Sequence, residues 1–232
     1  VAGLDQLAHG TASAPSRIEL TEARAASART LRARTVDAYA DSWRAAIERV
    51  GHAACYRGLR LVPQPGLIPI GADPESMLEE FADDTAGEIP RRDARGHITL
   101  TEQSAIVFVL LPGGSALLGA QAADRQGLHH DPDARADEQP VNTLELAPFF
   151  MGKFELTQGQ WLRWMDAFPS TYGPGSRMDS TVVDLRHPVE SVSWDECDFA
   201  LRWYGLVLPT EAQWEYACRA GTSTPWPCAQ DR

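Results

Sequence analysis

Lysine is almost missing from this 232-residue chain: of 21 cationic residues, Lys153 alone is lysine and the rest are arginine. Basic patches are missing as well. The formal charge is -11, and beyond residue 55 acids outnumber bases by 26 to 14. Nucleic acid and anionic membrane are therefore excluded as partners, since both need a cationic footprint. No window approaches the ~18 uninterrupted apolar residues of a membrane span, and no basic head with an apolar stretch opens the chain, so export and insertion are not indicated. The chain begins at Val1 rather than Met, so its start is expected either to be incomplete or to derive from an alternative start codon. The four cysteines, Cys55, Cys197, Cys218 and Cys228, lack the close pairing of zinc sites and redox dithiols. Together these absences point to a reducing, cytoplasmic setting with the cysteines as small buried apolar residues. No Gly-rich phosphate loop or catalytic-Asp signature of a kinase occurs.

What is present reads in four stretches. Residues 1–15, rich in Ala, Gly, Ser and Pro, read as a linker. Ser16 with Glu19 forms a capping box, and no Gly or Pro follows until Gly51, so residues 16–51 are expected to form one long helix of ~50 Å. Val36, Tyr39, Trp43, Ala46 and Val50 give it an apolar seam that suits packing on a partner helix or a neighbouring domain, with docking on its own domain favoured over a coiled coil. Residues 52–104 are turn-rich, with short β segments expected at Leu59–Val62, Leu67–Ile70 and His97–Leu100. Asp83, Asp84 and Glu88 in this stretch read as solvated turn carboxylates rather than metal ligands.

From Ala105 the apolar run to Leu111, closed by Pro112-Gly113-Gly114, reads as a buried strand. The loop from Asp124 to Gln139 holds His129, His130, Asp131, Asp133, Asp137 and Glu138, yet an EF-hand starting at Asp131 would need Gly at Ala136 and Glu at Asn142. It reads as a solvated loop. Thr157/Gln160, Ser193/Glu196 and Thr210/Gln213 are capping boxes that open three helices. Trp161, Trp164, Trp194, Phe199, Trp203, Tyr204, Trp214 and Tyr216 are expected on their buried faces. The class is α+β, poor in regular structure. No nucleophile stands beside a base, so no catalytic, cofactor or metal residue is assigned.

Four blocks in fixed order then resemble one family. They are Phe108-Val109-Leu110-Leu111-Pro112-Gly113-Gly114, Phe149 through Trp161 (FFMGKFELTQGQW), His187 through Cys197 (HPVESVSWDEC) and Leu208 through Gly221 (LPTEAQWEYACRAG). The chain over about 105–226 resembles the sulfatase-modifying-factor, or formylglycine-generating-enzyme, family. That resemblance implies a C-type-lectin-like fold and oxidation of a cysteine in a sulfatase to formylglycine, a protein or peptide substrate, and copper held by two reactive cysteines with calcium sites nearby. It also implies that 105–232 is the N-terminal part of such a module, inactive and prone to partial folding or aggregation when expressed alone. A position like that of Cys218 pairs with a distal cysteine in some relatives, and Cys228 is the candidate here. Pro227 to Arg232 departs from the family's Gly-rich continuation after Pro225-Trp226. Two other readings remain: a non-catalytic C-type-lectin-like binding module, and the sensor part of a bacterial Ser/Thr kinase, since 16–104 resembles the segment that joins a kinase to such a module.

Overall fold

The computed structural model describes residues 17–224. The linker 1–15, the Ser16/Glu19 box, and Pro225, Trp226 and Cys228 lie outside the described side chains.

The expected single helix is two. Helix α1 (Arg17–Arg32) runs into a wide π-type turn at Ala33–Asp37, closed by Ala38 N donating to Ala33 O at 2.9 Å, and helix α2 spans Ala40–His52. Nothing in local propensity forces this break. Tertiary contacts do: Thr35 and Val36 are buried, the Thr35 hydroxyl accepts from Gly66 N at 3.0 Å, and its carbonyl accepts from the Trp43 indole at 2.9 Å. Gly51 is not a cap either. The helix passes through it to His52, and Arg57 (φ 50°) with Gly58 (φ 77°) reverses the chain after a short turn at Ala54–Tyr56.

Four strands, β1 (Leu67–Ala72), β2 (Glu79–Asp83), β5 (Val107–Leu111) and β8 (Phe149–Gly152), form one antiparallel sheet in the order β1-β2-β5-β8. Residues 59–62, expected as a strand, lie outside it. Among the described residues, three two-stranded ribbons accompany it: β3 (Arg91–Arg92) with β4 (Ile98–Thr99), β6 (Gly114–Leu118) with β7 (Asn142–Leu146), and β9 (Arg177–Met178) with β10 (Thr181–Val182). The expected boundary at 104/105 falls inside the main sheet, because β2 pairs with β5 through Glu80–Val109, Phe81–Phe108 and Ala82–Val107.

Strand alternation gives the sheet two apolar faces. Phe81 and Leu110 meet α2 through Trp43, Ala46 and Val50, with Phe81 5.5 Å from Trp43 and edge-on to Phe150 at 5.1 Å. Ala82, Ala86, Ala105 and Ile106 meet Trp164 in a second core. Trp164 comes from helix α3 (Gln158–Met165), which helices α4 (Trp194–Trp203) and α5 (Glu211–Arg219) follow. Phe81 is fully buried, and its removal to Ala should cost roughly 3–5 kcal/mol. The mixed helix and sheet architecture matches the α+β expectation.

Candidate functional site

All three capping boxes form as the spacing predicts. Thr157, Ser193 and Thr210 each accept from the backbone N three residues on, and Gln160, Glu196 and Gln213 return the bond to the cap residue's own N–H. Their environments differ. Thr157 and Gln160 are buried, and Gln160 also donates to Ser104 O at 3.2 Å, so the start of α3 is tied to the residues preceding β5. Next to it in the helix, Gly159 lies so close to the chain that a Cβ would stand 2.7 Å from Glu102 O. Arg163 then donates to the carbonyls of Ala86, Glu102 and Ser104. The segment His187-Pro188-Val189 lies extended along this entry, with Gln158 N donating to His187 O and Val189 N to Leu156 O.

Two sets of buried ion pairs, one on each face of the sheet, have no signal in the sequence pattern. β2 opens with Glu79 and Glu80, both buried, and alternation sends them to opposite faces. Arg49 of α2 grips Glu79 through two bonds at 2.9 and 2.5 Å. Glu80 takes Arg92 at 2.7 Å and the ammonium of Lys153, which also reaches Asp73 at 2.7 Å. Burial works to lower the pKa of Lys153, but its bonds to Asp73 and Glu80 outweigh that and raise it. Burial likewise acts to raise the Asp73 carboxyl, and Lys153 with Ser76 holds it well below the usual range. Burial pushes Tyr56 up to about 12, while its hydroxyl donates to Leu110 O and accepts from Glu79 N, both at 2.9 Å. This is a scaffold chemistry of paired buried charges.

Several acids and a histidine sit elsewhere than expected. Asp83 is buried rather than solvated: desolvation raises its pKa, while bonds from Thr85 work against that. Asp84 pairs with Arg34 across to the π-type turn. Within the Asp124–Gln139 loop, His129 is buried and its Nδ1 donates to Gly119 O at 2.9 Å. Gly119 also holds α5, since its N–H donates to Glu215 at 2.8 Å and Arg219 donates to its carbonyl at 3.1 Å. His130, Asp131, Asp133, Asp137 and Glu138 do not gather with it. Among the described residues no three His, Cys, Asp or Glu side chains converge on a point that would hold a metal ion. No described residue is assigned to the copper or the calcium that the family resemblance implies, and no step is derived through either. Cys55, Cys197 and Cys218 are free thiols; Cys55 is exposed, not buried, and burial followed by the Glu196 charge pushes Cys197 up.

The aromatic expectation holds for α3 and fails for most of α4 and α5. Trp161 and Trp164 are buried, but Trp194 is 65% exposed, Phe199 58%, Trp203 46% and Trp214 57%. Helix α4 has two apolar stripes. Cys197, Ala200, Leu201 and Tyr204 turn inward, while Phe199 and Trp203, one turn apart, stack on each other outside with centroids 5.9 Å apart. Between α3 and α4 an open cavity of about 360 Å³ is lined by Trp161, Met165, Phe168 and Phe199 with Asp195 and Glu196. The indole N–H of Trp161 is buried and has no acceptor among the described residues.

Comparison with known proteins matches residues 96–231 to the sulfatase-modifying factor enzyme 1-like domain. A formylglycine-generating enzyme of Thermomonospora curvata is 27% identical over 189 residues, covering 60% of this chain and 56% of that one. Another from Streptomyces coelicolor is 51% identical over 155 residues, covering 49% and 47%. A serine/threonine-protein kinase pkn1 of Chlamydia caviae is 28% identical over 141 residues, covering 53% of this chain and 21% of the kinase. The chain thus spans about half the length, or less, of the curated relatives it matches.

Proposed function

This chain belongs to the sulfatase-modifying factor enzyme 1-like family, and from that premise we propose that it forms the scaffold part of a formylglycine-generating module with a C-type-lectin-like fold. The module's activity is oxidation of a cysteine in a sulfatase-type protein or peptide to formylglycine, and the described residues position that chemistry without performing it. One observation carries the reading. The four blocks shared with the family lie on the capped helices, the main sheet and its ion network, whereas Cys197, the thiol that one of those blocks contributes to α4, is pushed up by burial and by the Glu196 charge. An upward push of this kind lowers the fraction of thiolate, the form that nucleophilic attack and metal binding need.

The formylglycine-generating enzymes of Thermomonospora curvata and Streptomyces coelicolor support the substrate class. The test is a Cys-Xaa-Pro-Xaa-Arg peptide incubated with the chain, oxygen and copper, with aldehyde read by hydrazide capture. This chain alone should give none, and aldehyde formation above a protein-free control would overturn the scaffold role.

A second reading treats the module as a binding sensor attached to a kinase, with α1 and α2 as the connection. The pkn1 relative supports it, as does α1, whose side chains from Ala25 to Thr30 are all exposed. It predicts that α1 becomes protected from hydrogen exchange in a longer protein carrying a kinase domain.

A further inference from the structure

The outer face of α4 and the cavity beside it leave several large apolar side chains open. Soluble monomers seldom leave a cluster of large apolar side chains open, and interfaces are enriched in Trp, Phe and Met that offer or line anchor pockets. Phe199 is shared between the two features: its ring stacks on Trp203 on the helix face and also forms a wall of the cavity, opposite Phe168, Met165 and Trp161. Charge decides what kind of chain fits. Among the described residues, Asp195 and Glu196 are the only charged ones lining the cavity. Asp198, the next acid on the helix, is neutralised by Arg202 at 2.7 Å. Glu196 spends one oxygen on the Ser193 cap, and Asp195 is exposed. An apolar occupant alone would leave these two carboxylates to be desolvated without a partner, and an acidic one would be repelled.

We propose that this cavity and face bind a polypeptide segment that presents one apolar anchor side chain flanked by lysine or arginine. The anchor enters between Trp161, Phe168 and Phe199, the flanking cation meets Asp195 and Glu196, and aromatic rings beside that cation add cation–π attraction. This surface is independent of any oxidation: a peptide that binds here and is left chemically unchanged satisfies the proposal even if the module's reaction is something else.

The test uses the whole chain and fluorescein-labelled Gly-Lys-Leu-Lys-Gly, blocked at its C-terminus, read by anisotropy at low salt. Two control peptides replace both lysines by glutamate, or the leucine by serine. Each control should bind at least tenfold more weakly. Phe199→Ser should erase the leucine preference, and Asp195→Lys should invert the lysine-over-glutamate preference. Both residues are exposed, so unchanged circular dichroism is expected for either variant. Tryptophan indole N–H resonances give a second readout: one should shift on adding the lysine-leucine peptide and stay fixed with the glutamate peptide. Equal binding of all three peptides, no binding of any, or an unaltered preference in both variants would overturn the proposal. So would concentration-dependent pairing of the chain with itself that Phe199→Ser abolishes while no peptide binds.

Discussion

The ring of Tyr204 lies on that of Trp164, 4.3 Å between centroids and 13° from parallel, and its hydroxyl donates to the Trp164 carbonyl at 3.1 Å. This contact joins the end of α4 to α3 and to the second core. Tyr204→Phe keeps the stack and loses the bond, which should cost about 1 kcal/mol. Tyr204→Ala also loses the stack and should cost roughly 3 kcal/mol or more. Urea titrations followed by circular dichroism distinguish the two.

Lys153 should be irreplaceable by a residue of similar shape. Lys153→Met leaves Glu80 buried with Arg92 alone, and should cost roughly 3–5 kcal/mol at neutral pH. The pH profile separates lost charge from lost packing. Asp73 has a depressed pKa in the folded state, so its contribution is present above the unfolded value near 3.8 and disappears as pH falls below it. In Lys153→Met that acid limb should flatten, because Asp73 then titrates closer to its unfolded value. A limb as steep as the parent's would mean the lysine acts by packing alone.

The helix caps have the same chemistry and should not have the same value. Thr157→Ala removes a cap from a buried site that also fixes Gln160 against Ser104, whereas Ser193 is exposed. The first should cost near the upper end of about 0.5–2 kcal/mol and the second near the lower end. Equal losses by thermal denaturation would show that burial does not matter here.

Thiol labelling should proceed in order of access. Cys55 is exposed and should react first with an aromatic disulfide reagent, while Cys197, whose thiol burial pushes up, should lag by at least tenfold in the native protein. Equal rates in the absence of denaturant would contradict the placement of Cys197 on the inner stripe of α4.

Four exposed tryptophan and phenylalanine side chains on α4 and α5 should make the isolated chain associate as its concentration rises. Trp214→Ser and Trp194→Ser should each lower light scattering at equal concentration. A monomer with one cooperative thermal transition at high concentration would show instead that this surface is tolerated in water.

Much of this was legible in sequence because the signals were local. The pairs Thr157/Gln160, Ser193/Glu196 and Thr210/Gln213 fix helix starts through bonds spanning three residues, and the run Ala105–Leu111 had no alternative to burial. What was not legible depended on partners distant in the chain. Glu79-Glu80-Phe81-Ala82-Asp83 does not read as a buried strand until Arg49, Arg92 and Lys153 arrive from elsewhere to neutralise its acids. The π-type turn at Ala33–Asp37 is set by Gly66 and Trp43, and no residue within it announces a break. On α4 the apolar residues form two stripes, and periodicity alone does not say which one faces the core. The smaller stripe won, since Ala200 permits close approach and the bulky Phe199 and Trp203 do not.

The order of strands in the main sheet has a practical corollary. The family match begins at residue 96, but β1 and β2 lie before it and supply half the sheet, with β2 wedged between β1 and β5. Cutting the chain at the family boundary would therefore strip β5 of one neighbour and remove Asp73 and Glu80, leaving the Lys153 ammonium stranded without either of its acids. A recombination event that shuffles this unit between genes has to carry the segment from Leu67 onward as an inseparable part of the cargo.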